Sequence, residues 1–170
     1  GARAGARVRA PASPFASWLG DLEAAFGEIA SAALGLDAVE VKARGPRSPK
    51  GWQGAYLGLI GPAGGFQIGL ASDAGGCQRL AKRLLGVGPE GAARPAPEMA
   101  DALCEIVNIV AGSFQTRVRD RATPLQMGLP VFVNGAVQET EHTALRVAEL
   151  HAGGVDAALV LVHPRPPGEA

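Results

Sequence analysis

The sequence predicts an α+β fold, a largely antiparallel sheet carrying three helices. Three segments repeat apolar residues at helical spacing, and the remaining apolar segments are short and bounded by Gly- and Pro-rich turns. The strands come in pairs joined by short turns, with no regular alternation of strand and helix, and this order favours antiparallel pairing over a parallel sheet.

The elements follow in order. Phe15, Leu19, Leu22, Phe26 and Ile29 recur at helical spacing up to a stop at Gly35, which gives the first helix. "AVEVKA" at 38–43 alternates as a strand. "GWQGAYLGLIG" and "GGFQIGLA" flank "GPAG" and read as a hairpin, whose many glycines imply close packing. Asp73 is placed to cap a second helix through "GGCQRLAKRLLG", which Gly86 ends. Pro95 and Pro97 open a third helix that runs to about Arg119. Three strands close the chain: "LQMGLPVFVNG", "TALRVAEL" and "VDAALVLV".

Composition bounds the function. With 170 residues, 47% hydrophobic and 19% charged, the chain suits one domain with a substantial core. The expected organisation is a flexible arm over 1–13, a single domain over 14–163 and a flexible tail over 164–170. Sixteen basic and sixteen acidic residues cancel, so no broad positive surface is expected for nucleic acid or anionic lipid. The longest apolar run, "AALVLV" at 157–162, is far short of the roughly 18 residues that span a bilayer. The opening arm carries Arg3, Arg7 and Arg9 but lacks the apolar stretch of a signal peptide. Cys77 and Cys104 lack metal or disulfide spacing and read as small buried side chains, so a reducing, cytoplasmic setting is expected.

Several motifs carry no chemistry. "GVGPEG" at 86–91 has the letters of a dinucleotide loop but follows a helix, where the fingerprint must follow a strand and open a helix. "GLIGPAGG" lacks the Lys-Ser/Thr ending of a phosphate loop. His142, His151 and His163 sit in separate segments without metal spacing, and neither Ser72 nor Ser113 has a nucleophile's partners.

The third helix holds the informative pattern. At about 100° per residue, Leu103, Ile106, Val107, Val110 and Phe114 occupy a sector of roughly 100°. Asp101, Glu105, Asn108 and Gly112 occupy a sector of roughly 60° on the opposite side. Glu98 extends this line toward the helix start, where carboxylates suit the macrodipole. No Lys or Arg lies between Arg94 and Arg117. A solvated face normally mixes signs, so this line is suited to a cation supplied by another molecule. Gly112 adds room for close approach, at about 1 kcal/mol of helix propensity. A solvated polar face is the plain alternative on these observations alone.

Asp101-x-x-x-Glu105-x-x-Asn108, then Gly112 and the "LP" that ends in Pro130, resembles the signature of the CheC/CheX family of chemotaxis phosphatases. The order of elements from about Gly51 to Val162, about two thirds of the chain, resembles CheX. The resemblance implies an enzyme that hydrolyses the aspartyl-phosphate of a CheY-like response regulator, a phosphorylated receiver domain, in chemotaxis or two-component signalling. It implies catalytic roles for Asn108, orienting the attacking water, and Glu105, pairing with a receiver lysine. Asp101, Gly112 and Glu98 would then belong to the partner-binding surface. No metal or cofactor is expected in this chain, the divalent metal belonging to the receiver. A homodimer formed through the sheets is implied, and the apolar last strand is compatible with it. In two-site relatives the first helix repeats the motif; here "FGEIASAAL" offers Glu28 followed by Ser31, so one site per chain is expected. The arm and the "ARGPRSPKG" segment at 43–51 have no counterpart in the resemblance. The alternatives are a non-catalytic module that docks on a receiver or signalling protein, and a structural relative in the flagellar switch.

Overall fold

The computed structural model describes residues 14–62, 64–121 and 124–166; the expected arm over 1–13 lies outside them. Ten elements follow in chain order: α1 (Phe15–Leu34), β1 (Glu40–Gly45), β2 (Gln53–Gly61), β3 (Gly64–Ser72), α2 (Ala74–Leu84), α3 (Ala96–Val118), β4 (Gln126–Met127), β5 (Val131–Val133), β6 (Thr143–Ala152) and β7 (Val155–Pro164). The strands form one sheet in the order β1-β6-β7-β3-β2-β4, with β5 also paired to β2. Every pairing is antiparallel.

Local chemistry accounts for the boundaries. Gly35 ends α1 in the left-handed conformation, φ 62°. The Asp73 carboxylate accepts the Gly76 N–H at 2.6 Å and caps α2. At the other end Gly86, φ 69°, lets its own N–H reach Arg83 O at 3.3 Å and that of Val87 reach Lys82 O at 2.9 Å. This paired closure satisfies two terminal carbonyls of α2, so "GVGPEG" begins as a helix stop. Gly153 and Gly154, φ 53° and 76°, make the two-residue turn between β6 and β7.

Two expectations are corrected. "LQMGLPVFVNG" is not one strand but two short ones, because Pro130 has no N–H to give to the ladder. Gly128 still donates to Gly58 O at 2.8 Å, after which Leu129 leaves the sheet, 88% exposed. At the C-terminus β7 takes in Pro164, which the sequence assigns to the tail, and the Arg165 N–H donates to His142 O at 2.8 Å.

All three helices pack on one face of the sheet. Their buried residues meet Leu57, Leu59, Ile68, Leu70, Leu159 and Leu161 in the main core. Phe15, Trp18, Phe66 and Phe114 stack edge-on or tilted within it and join α1 and α3 to β3. Glu28 meets Arg117 while Asp21 meets Arg121, so α1 and α3 run antiparallel. The opposite face of the sheet is covered as well. Tyr56, Leu145, Val147, Ala158, Val160 and Val162 form a second, smaller core beneath Trp52, Val133 and Val137. This explains why β7 is apolar on both sides: the chain itself covers Val160, which is fully buried. Both sides of β7 are therefore covered within the chain. Among the described residues, no helix is long and apolar enough to cross a membrane.

Tyr56 reports on the second core. It is the single tyrosine of the chain, 2% exposed, and burial pushes its phenol up to about 12. Its ordinary value near 10 returns on unfolding, so the phenol's contribution to stability is full below about pH 10 and is lost as the pH rises toward 12. Ultraviolet titration of the native protein should show tyrosinate appearing about two units later than in denaturant. A native midpoint near 10 would mean that the second core is open to water.

Candidate functional site

The candidate site is the outer face of α3, and both ends of that helix are tied down. At its entry the Gln78 side chain brackets Arg94, donating to its carbonyl at 2.9 Å and accepting its N–H at 2.8 Å. At its exit Gln115 Nε2 donates to Leu125 O. Between them Leu103, Ile106, Val107, Val110 and Phe114 are each 3% exposed or less, as the periodicity predicts. Each such burial contributes about 1.5–3 kcal/mol, so the helix has little freedom to roll.

Asp101, Glu105 and Asn108 consequently face solvent, and Gly112 is half-buried at the end of their line. Among the described residues no side-chain hydrogen bond or ion pair engages Asp101, Glu105 or Asn108. Glu98 differs. Arg94, one helical turn before it, pairs with it at 3.6 Å, so the line of unpaired acids begins at Asp101 and not at Glu98. A Cβ at Gly112 would meet nothing within 4 Å, so this chain's own packing does not require glycine there. The glycine keeps the backbone reachable from outside.

The corresponding stretch of α1 behaves in the opposite way. Glu28 is held by Arg117 at 3.0 Å and accepts from Ser113 at 3.3 Å, while Ser31 donates to Asp37 at 3.1 Å. Both are occupied within the chain. The Glu28–Arg117 pair was not foreseen from sequence, because residues 89 positions apart give no local signal of contact. Next to the line, Cys104 is half-buried; burial and then the Asp101 carboxylate push its thiol up, which disfavours the reactive thiolate. Cys77 is fully buried and pushed up to about 11, chiefly by burial.

Chemically the line is an acceptor surface with one amide. Glu105 and Asp101 can receive a cation or N–H donors, and Asn108 can donate and accept at once. Among the described residues no group of three or more His, Cys, Asp or Glu side chains is placed to hold a metal ion. β5 packs beside α3, and its first residue Val131 is exposed, as is Leu129 two residues before it.

The family model described as chemotaxis phosphatase CheX matches residues 54–148, a span that contains the whole line from Glu98 to Gly112 and Pro130. No curated protein matches the sequence. The fold is shared with a chemotaxis protein CheX from Desulfovibrio desulfuricans, at TM-score 0.71, 12% identity and coverage of 88% of this chain and 99% of that one. It is shared also with CheX in the Borrelia burgdorferi CheX-CheY-BeF3-Mg2+ complex, at TM-score 0.68, 18% identity and coverage of 87% and 97%. FliY of Thermotoga maritima is similar at TM-score 0.63 and 15% identity, with 92% of each chain covered. Since the family model matches more than half of the sequence and takes in the α3 line, this chain belongs to the CheX family of chemotaxis phosphatases.

Proposed function

We propose that this protein hydrolyses the aspartyl-phosphate of a CheY-like receiver domain, with Glu105 and Asn108 as its catalytic residues. The observation that carries this reading is the contrast between the two helices: Glu28 and Ser31 on α1 are bonded within the chain, while Asp101, Glu105 and Asn108 on α3 are exposed without partners among the described residues. An acyl phosphate is already activated, so no nucleophile or strong base is required. In the proposed step, Asn108 Oδ1 accepts an O–H of water and its Nδ2–H steadies a phosphoryl oxygen. The water oxygen bonds to phosphorus as the bond to the aspartyl oxygen breaks, and the water protons leave with inorganic phosphate. Glu105 pairs with a receiver lysine and sets the register of docking. Asp101 adds to the negative surface, Glu98 lies at its margin under Arg94, and Gly112 admits the receiver's backbone.

The complex of a relative with CheY, BeF3 and Mg2+ supports a receiver as partner. It also fits a division of labour in which the receiver brings the divalent ion, leaving this chain to bring the water and its orientation. A receiver substrate would place the protein in the cytoplasm.

The test is phosphate release from a phosphorylated CheY-like receiver, with wild-type protein, with Asn108→Ala and with no addition. Wild type should accelerate release, and Asn108→Ala should reduce that acceleration by about two orders of magnitude. Its unfolding midpoint should not fall, because alanine in place of an exposed helical asparagine is neutral or slightly stabilising. Binding to a receiver with no acceleration in wild type would make the domain a docking module. Glu105→Ala should weaken receiver binding and flatten its dependence on salt, measured by titration across a salt series; an unchanged series would remove Glu105 from docking. Gly112→Ala should stabilise the isolated protein by about 1 kcal/mol while slowing release, so that stability and activity move in opposite directions.

A further inference from the structure

We infer that the basic cleft beside α2 is a binding site for a small molecule carrying two or more phosphate groups, of the size of a mononucleotide. Arg79, Lys82 and Arg83 stand three and four residues apart and share one face of α2. They line a cleft of about 750 Å³ whose other walls are the last residue of α1, the loop at 86–89 and the β6–β7 turn at Gly153 and Gly154. No acidic side chain is among the residues that line it.

Two of the cations have structural duties and keep donors to spare. Lys82 Nζ donates to Gly91 O at 2.8 Å, and Arg83 Nη1 donates to Leu34 O and Gly35 O at 3.1 and 3.3 Å. Arg79 has no such duty. Among the described residues it makes no side-chain hydrogen bond or ion pair, and it stands in the middle of α2, outside the last turn where the macrodipole favours cations. Three like charges within one helical turn repel each other unless an anion joins them.

The ends of α1 and α2 present carbonyls that would oppose an anion. These are largely taken up: Arg83 covers the end of α1, and the Gly86 and Val87 N–H groups cover that of α2. Glycines make much of the remaining wall and leave backbone within reach. A Cβ at Gly153 would strike Leu36 and crowd the Arg83 guanidinium, so this glycine both makes the turn and seats the cation. The letters "GVGPEG" thus contribute a glycine wall, though not the strand-to-helix loop that the dinucleotide motif requires. The volume lies within the range of small-ligand sites, and the three positive charges match a di- or triphosphate. Nothing in the proposed receiver chemistry uses these residues.

The test is calorimetric titration of the full chain with pyrophosphate, ATP and adenosine, with amide NMR to place the site. Pyrophosphate and ATP should saturate and shift the Gly86, Gly88, Gly153 and Gly154 amides, and adenosine should not bind. Arg79→Gln breaks no internal bond and should weaken both phosphate ligands by at least about tenfold. Arg47→Gln, which removes the same charge outside the cleft, should leave binding unchanged. The inference is overturned if neither phosphate ligand binds saturably at millimolar concentration, if the two variants weaken binding equally, or if adenosine binds as tightly as ATP.

Discussion

The burial of one side of α3 is the constraint on which the rest depends. Leu103, Ile106 and Phe114 are fully buried, and Val107 and Val110 nearly so, against α1 and the sheet. A helix fixed along that stripe must turn its opposite side outward. The direction of Asp101, Glu105 and Asn108 is therefore a consequence of packing by residues on the other side of the helix. The Gln78–Arg94 bracket and the Gln115 bond add a limit on sliding, which matters for a site whose three side chains are spaced along the helix axis.

Charge is distributed to the same end. Four acids of α1 and α3 are paired: Asp21 with Arg121, Glu23 with Arg44, Glu28 with Arg117, Glu98 with Arg94. These exposed or half-exposed pairs are worth little individually, about 0–1 kcal/mol. Their effect is selective, because they use up the neighbouring cations and leave Asp101 and Glu105 as unneutralised carboxylates on the face. The same pairing occupies α1 within the chain. Glu28 stands where a second motif would need a free carboxylate, and Arg117 holds it, so the asymmetry between the helices is electrostatic as well as a matter of which side chains occur.

The sheet supports this arrangement by being covered on both faces. Helices cover one side, and Trp52, Val133 and Val137 close over Tyr56 and Val160 on the other. Close approach of strands then demands glycine at chosen points: a Cβ at Gly69 would run into the Tyr56 ring on the neighbouring strand. The segment at 43–51, without a counterpart in the family pattern, leads into Trp52 and so into that second cover.

Much of this was legible in the sequence because it is local. Helical periodicity marks α1 and α3, Asp73 and Gly86 mark the ends of α2, and the opposed sectors of α3 put Asp101, Glu105, Asn108 and Gly112 on one outward line. Each depends on spacing within a few residues, where the geometry of a single element suffices. Other features depend on residues far apart in the chain, and only the tertiary structure decided them. Leu129 and Pro130 split an apparently continuous strand because of how β2 pairs. Glu28 is bonded to a residue on another helix. The apolar outer side of β7 is an interior surface. Arg79, Lys82 and Arg83 line a cleft because α1, the loop after α2 and the β6–β7 turn converge on them. The period of a helix shows which residues share a face; what that face meets is set by chain segments that local pattern does not connect.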